Sequence, residues 1–224
     1  MTAIAVALLL IRASPGAPEQ DPGAEPTTDP PPAFLTFLAK DRPGPHRHDG
    51  FFLRSGFGFG YSDWSARSGT DRWVIRGLGM PLELAIGWAP VDNVVLFLDA
   101  TIEVVVPSTM DRRIAFLTPR TRGWESWVGG GAAYYFMPAN VHVTATLQVG
   151  ALAVEEPLGN VVGETDAGTC VSLVVGKEWW VSANWGMGFG VTTRVARMKD
   201  QTLASADARW TSLSFALVYS ATYN

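Results

Sequence analysis

Five charged residues stand within segments otherwise built of apolar and small side chains: Arg54, Glu83, Asp99, Glu103 and Arg194. Charges in such surroundings are prohibitively costly unless they pair with one another or face water. Two chemistries suit them. One is a sealed, ion-paired network that fixes register; the other is an ion gate in which Arg54 or Arg194 exchanges carboxylate partners. A second group, Arg112, Arg113, Arg120 and Arg122, belongs to the polar stretch from Pro107 to Arg122, which also holds the apolar island Ile114, Ala115, Phe116 and Leu117. Guanidinium forks match phosphate geometry, so this stretch is a candidate contact for an anionic partner, against the plainer reading of a solvated loop.

The remaining chemical side chains suggest little. His46 and His48 form a pair without a third ligand, which reads as a solvated loop and not as a metal site. His142 has no obvious nucleophile beside it. The lone cysteine, Cys170, excludes an intramolecular disulfide and reads as a small apolar filler. Gly56, Gly58 and Gly60 precede no helix, so they form no phosphate loop. No cofactor or metal is expected, and a formal net charge of -4 offers no basic footprint for nucleic acid.

The elements that position these groups are strands. From Phe51 to Trp64, FFLRSGFGFGYSDW, the odd positions Phe51, Leu53, Phe57, Phe59 and Tyr61 are large and apolar, while Arg54, Gly56, Gly58, Gly60 and Ser62 are small or charged. A soluble sheet would solvate its second face with Lys, Glu and Thr. A glycine track instead suits the crowded inside of a small closed barrel, so the aromatic face points outward, into lipid. The alternation recurs over Arg76–Ala89, Val94–Val106, Trp124–Met137, Val141–Val154, Thr169–Trp180, Trp185–Met198 and Arg209–Tyr223. Pro81 interrupts the second of these and predicts a bulge, and Lys177 falls on an outer face, from which it can snorkel.

Eight strands are predicted, with short connections after the second, fourth and sixth and longer ones after the others. That asymmetry suits an up-and-down antiparallel transmembrane barrel with short periplasmic turns and long external loops. Trp64, Trp73, Trp88, Trp124, Trp127, Trp179, Trp180, Trp185 and Trp210 all fall near strand ends, where a girdle at the two membrane interfaces would place them. Although 47% of residues are hydrophobic, no run of about 18 apolar residues exists to form a spanning helix. Thr2 to Ile11 resembles the apolar part of a secretory leader, giving a signal peptide over residues 1–17. Residues 18–49 read as a Pro-rich linker containing the short apolar island from Ala33 to Lys40, and the barrel as residues 50–224.

With these segments in view, the chain resembles the small outer-membrane β-barrels of Gram-negative bacteria, the class of the OmpA transmembrane domain, OmpX and OmpW. The stretches DGFFLRSGFGFGY, GLGMPLELAIG, YYFMPANVHVTATLQVG and GKEWWVSANWGMG look more particularly like an uncharacterised barrel group of myxobacteria. The resemblance implies residence in the outer membrane as a monomer, contact with its lipids and lipopolysaccharide, and insertion by the outer-membrane assembly machinery, which reads a final strand like Arg209–Tyr223. This chain departs from that terminal pattern by placing Asn224 after Tyr223. A non-enzymatic barrel, structural or binding through its loops over a charge-plugged lumen, is the expected function. A small gated pore and a soluble lipocalin-like binder are the alternatives.

Overall fold

The computed structural model describes residues 47–68, 71–110, 122–155, 161–200 and 209–224. Their secondary structure is all strand: β1 (Gly50–Ser68), β2 (Asp71–Val91), β3 (Val94–Met110), β4 (Arg122–Phe136), β5 (Val141–Glu155), β6 (Val161–Glu164), β7 (Gly168–Trp180), β8 (Trp185–Lys199) and β9 (Arg209–Tyr223). Every pairing is antiparallel. The order runs β4-β3-β2-β1-β9-β8-β7-β5, and pairing of β4 with β5 closes the circle. Eight strands thus form a closed barrel without a free edge. The four-residue β6, inside the segment expected to be loop, extends the sheet beside the outer end of β5.

Alternation dictates which way each side chain faces. Odd positions of β1 and β9 face out, so Phe59 is 57% exposed and Leu217 likewise 57%, whereas their neighbours Ala216 and Val218 are buried. β2 carries Leu78, Leu82, Leu84, Ile86 and Trp88 outward, and β3 carries Leu96, Leu98 and Ile102. A continuous apolar belt of this size around a barrel is lipid-facing surface. It also removes the lipocalin-like alternative, which needs these residues inside.

The inward glycines let strands approach. A Cβ on Gly60 would lie 1.8 Å from the carbonyl oxygen of Phe215 on β9, so only glycine fits where β1 and β9 coil together.

Two expectations about the strands change and a third holds. β1 and β2 run on to Ser68 and Asp71, so their long external connection is mostly hairpin; Ser65 and Ala66 pair with Val74 and Trp73 and continue the ladder. Pro81 makes no bulge. Without an N–H to donate, it opens the β1–β2 ladder between Phe57↔Leu82 and Gly60↔Gly79 while the register stays unchanged. The irregularities of β2 against β3 sit instead at Arg76/Gly77 and Trp88/Val91. Lys177 does reach for the interface: its Nζ donates to the Ala139 carbonyl at 2.5 Å and lies over the Trp179 ring.

The leader, the linker to residue 46 and the apolar island at 33–40 lie outside the described residues. The last linker residues do not behave as linker. His48 is fully buried at the short-turn end of the barrel, correcting its reading as a solvated loop. Its ring stacks on Tyr135 at 3.4 Å, and its Nδ1 and Nε2 lie 2.9 and 2.8 Å from the side-chain oxygens of Asn224 and Asn140. Its carbonyl accepts the Asn93 N–H at 2.8 Å.

Candidate functional site: a charged barrel interior between two aromatic caps

Inward residues stack in layers from one mouth to the other. At the short-turn end Phe52, Ala85, Ala89, Val95, Phe97, Ala133 and Tyr135 form one apolar cluster, against which His48 stacks. At the opposite end Trp64, Ile75, Val105, Trp127, Leu152, Met198 and Trp210 belong to a second, which includes Cys170 as a buried filler. Polar residues occupy the space between.

The central feature is Arg194 on β8, whose guanidinium is almost wholly buried and crosses the bore. Nη1 donates to Glu103 Oε2 on β3 at 2.6 Å and Nη2 to Glu83 Oε1 on β2 at 3.1 Å. Because β8 lies opposite β2 and β3 in the circle, this is a strut across the barrel. Ser62 on β1 donates to Glu103 Oε1 and also lies 3.2 Å from Ser214 on β9, tying two further strands to the network. Charge-assisted bonds with the forked geometry of arginine are strong ones.

Of the five expected network residues, then, the structure brings Glu83, Glu103 and Arg194 together. Arg54 is placed apart, correcting its assignment to the ion pairs: it lies over the rings of Phe52 and Phe97 at 5.9 and 5.6 Å, with no ion pair among the described residues. Asp99 also avoids arginine. Its Oδ1 accepts from Gln148 Nε2 on β5 at 2.8 Å.

Sequence reasoning missed two buried acids. Glu125 stands directly opposite Glu103 in the β3–β4 ladder and is fully buried, its inward phase being readable from Gly129, Gly131 and Tyr135 on the same strand. Glu178 on β7 accepts from Thr222 at 2.7 Å and lies 4.0 Å from His142 Nε2. His142 also contacts Thr144 Oγ1 at 3.2 Å, within the closed interior. Two buried arginines therefore face five carboxylates: Glu83, Asp99, Glu103, Glu125 and Glu178.

The tryptophan girdle is corrected in part. Trp88, Trp124, Trp179 and Trp185 face outward and are exposed, whereas Trp64, Trp127 and Trp210 are buried at 0%, 2% and 7% exposure, and Trp180 turns toward His48. Nearness to a strand end had suggested a girdle, but phase decides: the alternation that turns Phe57 out turns Trp64 in. Trp64 fills a notch at Gly123, where a Cβ would lie 2.0 Å from its ring. Single-tryptophan variants retaining Trp88 or Trp185 are accordingly expected to be quenched by brominated acyl chains. One retaining Trp64 should stay unquenched; equal quenching would refute the inward assignment.

Arg122 opens β4 as an exposed residue, while Arg112, Arg113 and Arg120 lie outside the described residues, as does the side chain of Trp73.

A closed barrel of eight antiparallel strands, apolar outside and polar within, defines the class: an integral β-barrel of the bacterial outer membrane. No protein-family model and no curated protein matches the chain. Among solved structures it is similar to Neisserial surface protein A, at 13% identity and a TM-score of 0.49, covering 78% of this chain and 97% of that one. It is likewise similar to the outer membrane protein OprG of Pseudomonas aeruginosa, at 11% identity and a TM-score of 0.46, covering 80% and 98%. The outer membrane protein AlkL compares at 11% and 0.49, covering 82% and 93%.

Proposed function

We propose that this protein is a sealed, non-enzymatic outer-membrane barrel that acts as an anchor, presenting its external segments to a binding partner. The observation that carries this reading is the double closure of the bore, by Trp64, Trp127 and Trp210 at one end and Phe52, Phe97, Tyr135 and His48 at the other. Between them, a cavity of about 10 Å³ beside Arg54, Glu83, His142 and Ser220 has room for a single water. A pore needs a continuous wet path, and these layers argue against one. The charge network then serves to hold opposite walls together, a plug with a structural role.

Catalysis is disfavoured by the same enclosure. His142, Thr144 and Glu178 combine a base, a hydroxyl and an acid, but all three are buried where no substrate arrives. Contact with a partner therefore falls to the external segments, where Arg112, Arg113, Arg120 and Arg122 remain the candidate contact for anionic groups such as those of lipopolysaccharide. The barrel would work as a monomer in outer-membrane lipid, delivered there by the assembly machinery.

Reconstitution of the full chain in planar bilayers tests the reading. The expected result is a folded, heat-modifiable barrel that carries no steady current. A steady current abolished by Glu83→Gln would make the gated pore the correct function instead.

A further inference from the structure

We infer that the outer rim of β1, β9 and β8 is a binding site for the phosphate group of an outer-leaflet lipid. The inference rests on the membrane position of the apolar belt and is independent of whether the bore is sealed.

Register brings the cations together. Arg67 on β1 is the direct partner of Arg209 on β9, and Arg209 is the direct partner of Lys199 on β8. All three are exposed on the outer face. Two residues down each strand, and therefore on the same face, stand Ser65, Thr211 and Arg197, again direct partners in turn. The third row is Asp63, Leu213 and Val195, and the fourth, Tyr61, Phe215 and Thr193, is within the apolar belt. From the top down, this face reads cation, cation or hydroxyl, a mixed row in which the Asp63 carboxylate is paired with Arg76, then hydrocarbon. That is the order met by a lipid whose phosphate lies over its acyl chains.

Directly opposed like charges destabilise a sheet, so three successive cations across adjacent strands call for an anion. Among the described residues no carboxylate pairs with Arg67, Arg197, Lys199 or Arg209. Asp63, on the same face, is held by Arg76 at 2.6 Å. Asp200 instead accepts from Trp210 Nε1, and Asp166 meets Lys199 through the main chain, its N–H donating to the Lys199 carbonyl at 2.9 Å. With strands about 4.8 Å apart, the upper row spans about 10 Å, wide enough for two or three basic side chains to converge on one phosphate. Thr211, at the centre of the lower row, adds a hydroxyl donor.

The test uses the full chain folded in detergent and incubated with phosphatidylcholine and phosphatidic acid together, with retained lipid read by native mass spectrometry. The wild type should retain phosphatidic acid in preference to phosphatidylcholine. Arg209→Gln should reduce that preference roughly 5-fold, and Arg67→Gln, Lys199→Gln and Arg209→Gln combined roughly 100-fold. Arg47→Gln, at the other end of the barrel where Arg47 pairs with Asp92, should leave it unchanged. Heat-modifiable migration of the single variant shows that folding is kept, so Arg209→Gln decides the matter even where the combined variant does not fold. An unaltered preference in the folded single variant, or no preference in the wild type, would overturn the site. Displacement of the lipid by equimolar inorganic phosphate would also overturn it, by showing that free phosphate is the ligand. A wild-type chain that stayed soluble without detergent would refute the membrane position itself, an outcome distinct from a detergent-requiring barrel with no headgroup preference.

Discussion

Arg194→Met is expected to destabilise the barrel by about 3–5 kcal/mol, the cost of removing one partner from a buried ion pair. The change leaves Glu103 without its 2.6 Å donor and Glu83 without its 3.1 Å donor, with Glu125 already facing Glu103 across the ladder. Several carboxylates would then share a closed space in which Arg54, held over the rings of Phe52 and Phe97, is the one buried guanidinium left among the described residues. Adding Glu83→Gln and Glu103→Gln should recover most of the loss, because amides remove the unpaired charges and nearly keep the shape. The temperature at which the folded, fast-migrating species converts to the unfolded one reads both effects. An unshifted temperature for Arg194→Met would mean that the strut contributes nothing, and failure of the amides to restore stability would locate the loss in packing instead of charge.

Trp64→Ala should cost a similar amount, about 3–5 kcal/mol, for a different reason. Trp64 is wholly buried, and its ring fills the notch above Gly123 among Ile75, Trp127 and Trp210. Truncation removes one of the three tryptophans of the outer cap, the one wholly buried, and opens a cavity above the charged layer. Under the proposed function the variant should still carry little current, since the inner cap of Phe52, Phe97, Tyr135 and His48 is intact. Trp64→Ala combined with His48→Ala should conduct measurably. A current in Trp64→Ala alone would place the whole barrier at the outer cap; none in the double variant would show that the charged layer closes the bore by itself.

Fold and location were legible because barrel strands alternate strictly, so side-chain phase could be read along every strand without knowing the partner. Phase also turns Trp64, Trp127 and Trp210 inward, whatever their nearness to strand ends. The charged interior was legible only as a set of inward residues. Which acid meets which base depends on stagger around the circle, and the sequence carries no local signal for it. Hence Arg194 finds Glu103 across the bore, while Arg54, on an equally inward position, settles over aromatic rings. His48 departs from its sequence pattern for a related reason: a histidine outside any periodic segment looks solvated, and its partners Asn140 and Asn224 are distant in sequence and adjacent only once the barrel has closed.

That contact bears on how the molecule assembles. His48 and Asn224 are 176 positions apart, and the β1–β9 ladder beside them joins segments nearly as remote, whereas every other junction in the barrel except β5–β7 is a simple hairpin. Hairpins form locally and quickly, but a junction between distant segments must first meet the entropy of a very long loop. The β1–β9 seam is therefore the last to zip. Until it does, β1 and β9 each present a long edge of unpaired N–H and C=O groups, which an insertion factor would have to cover or pair. The His48 clasp then acts as a latch on the finished circle, engaging only when both edges have met in the correct register.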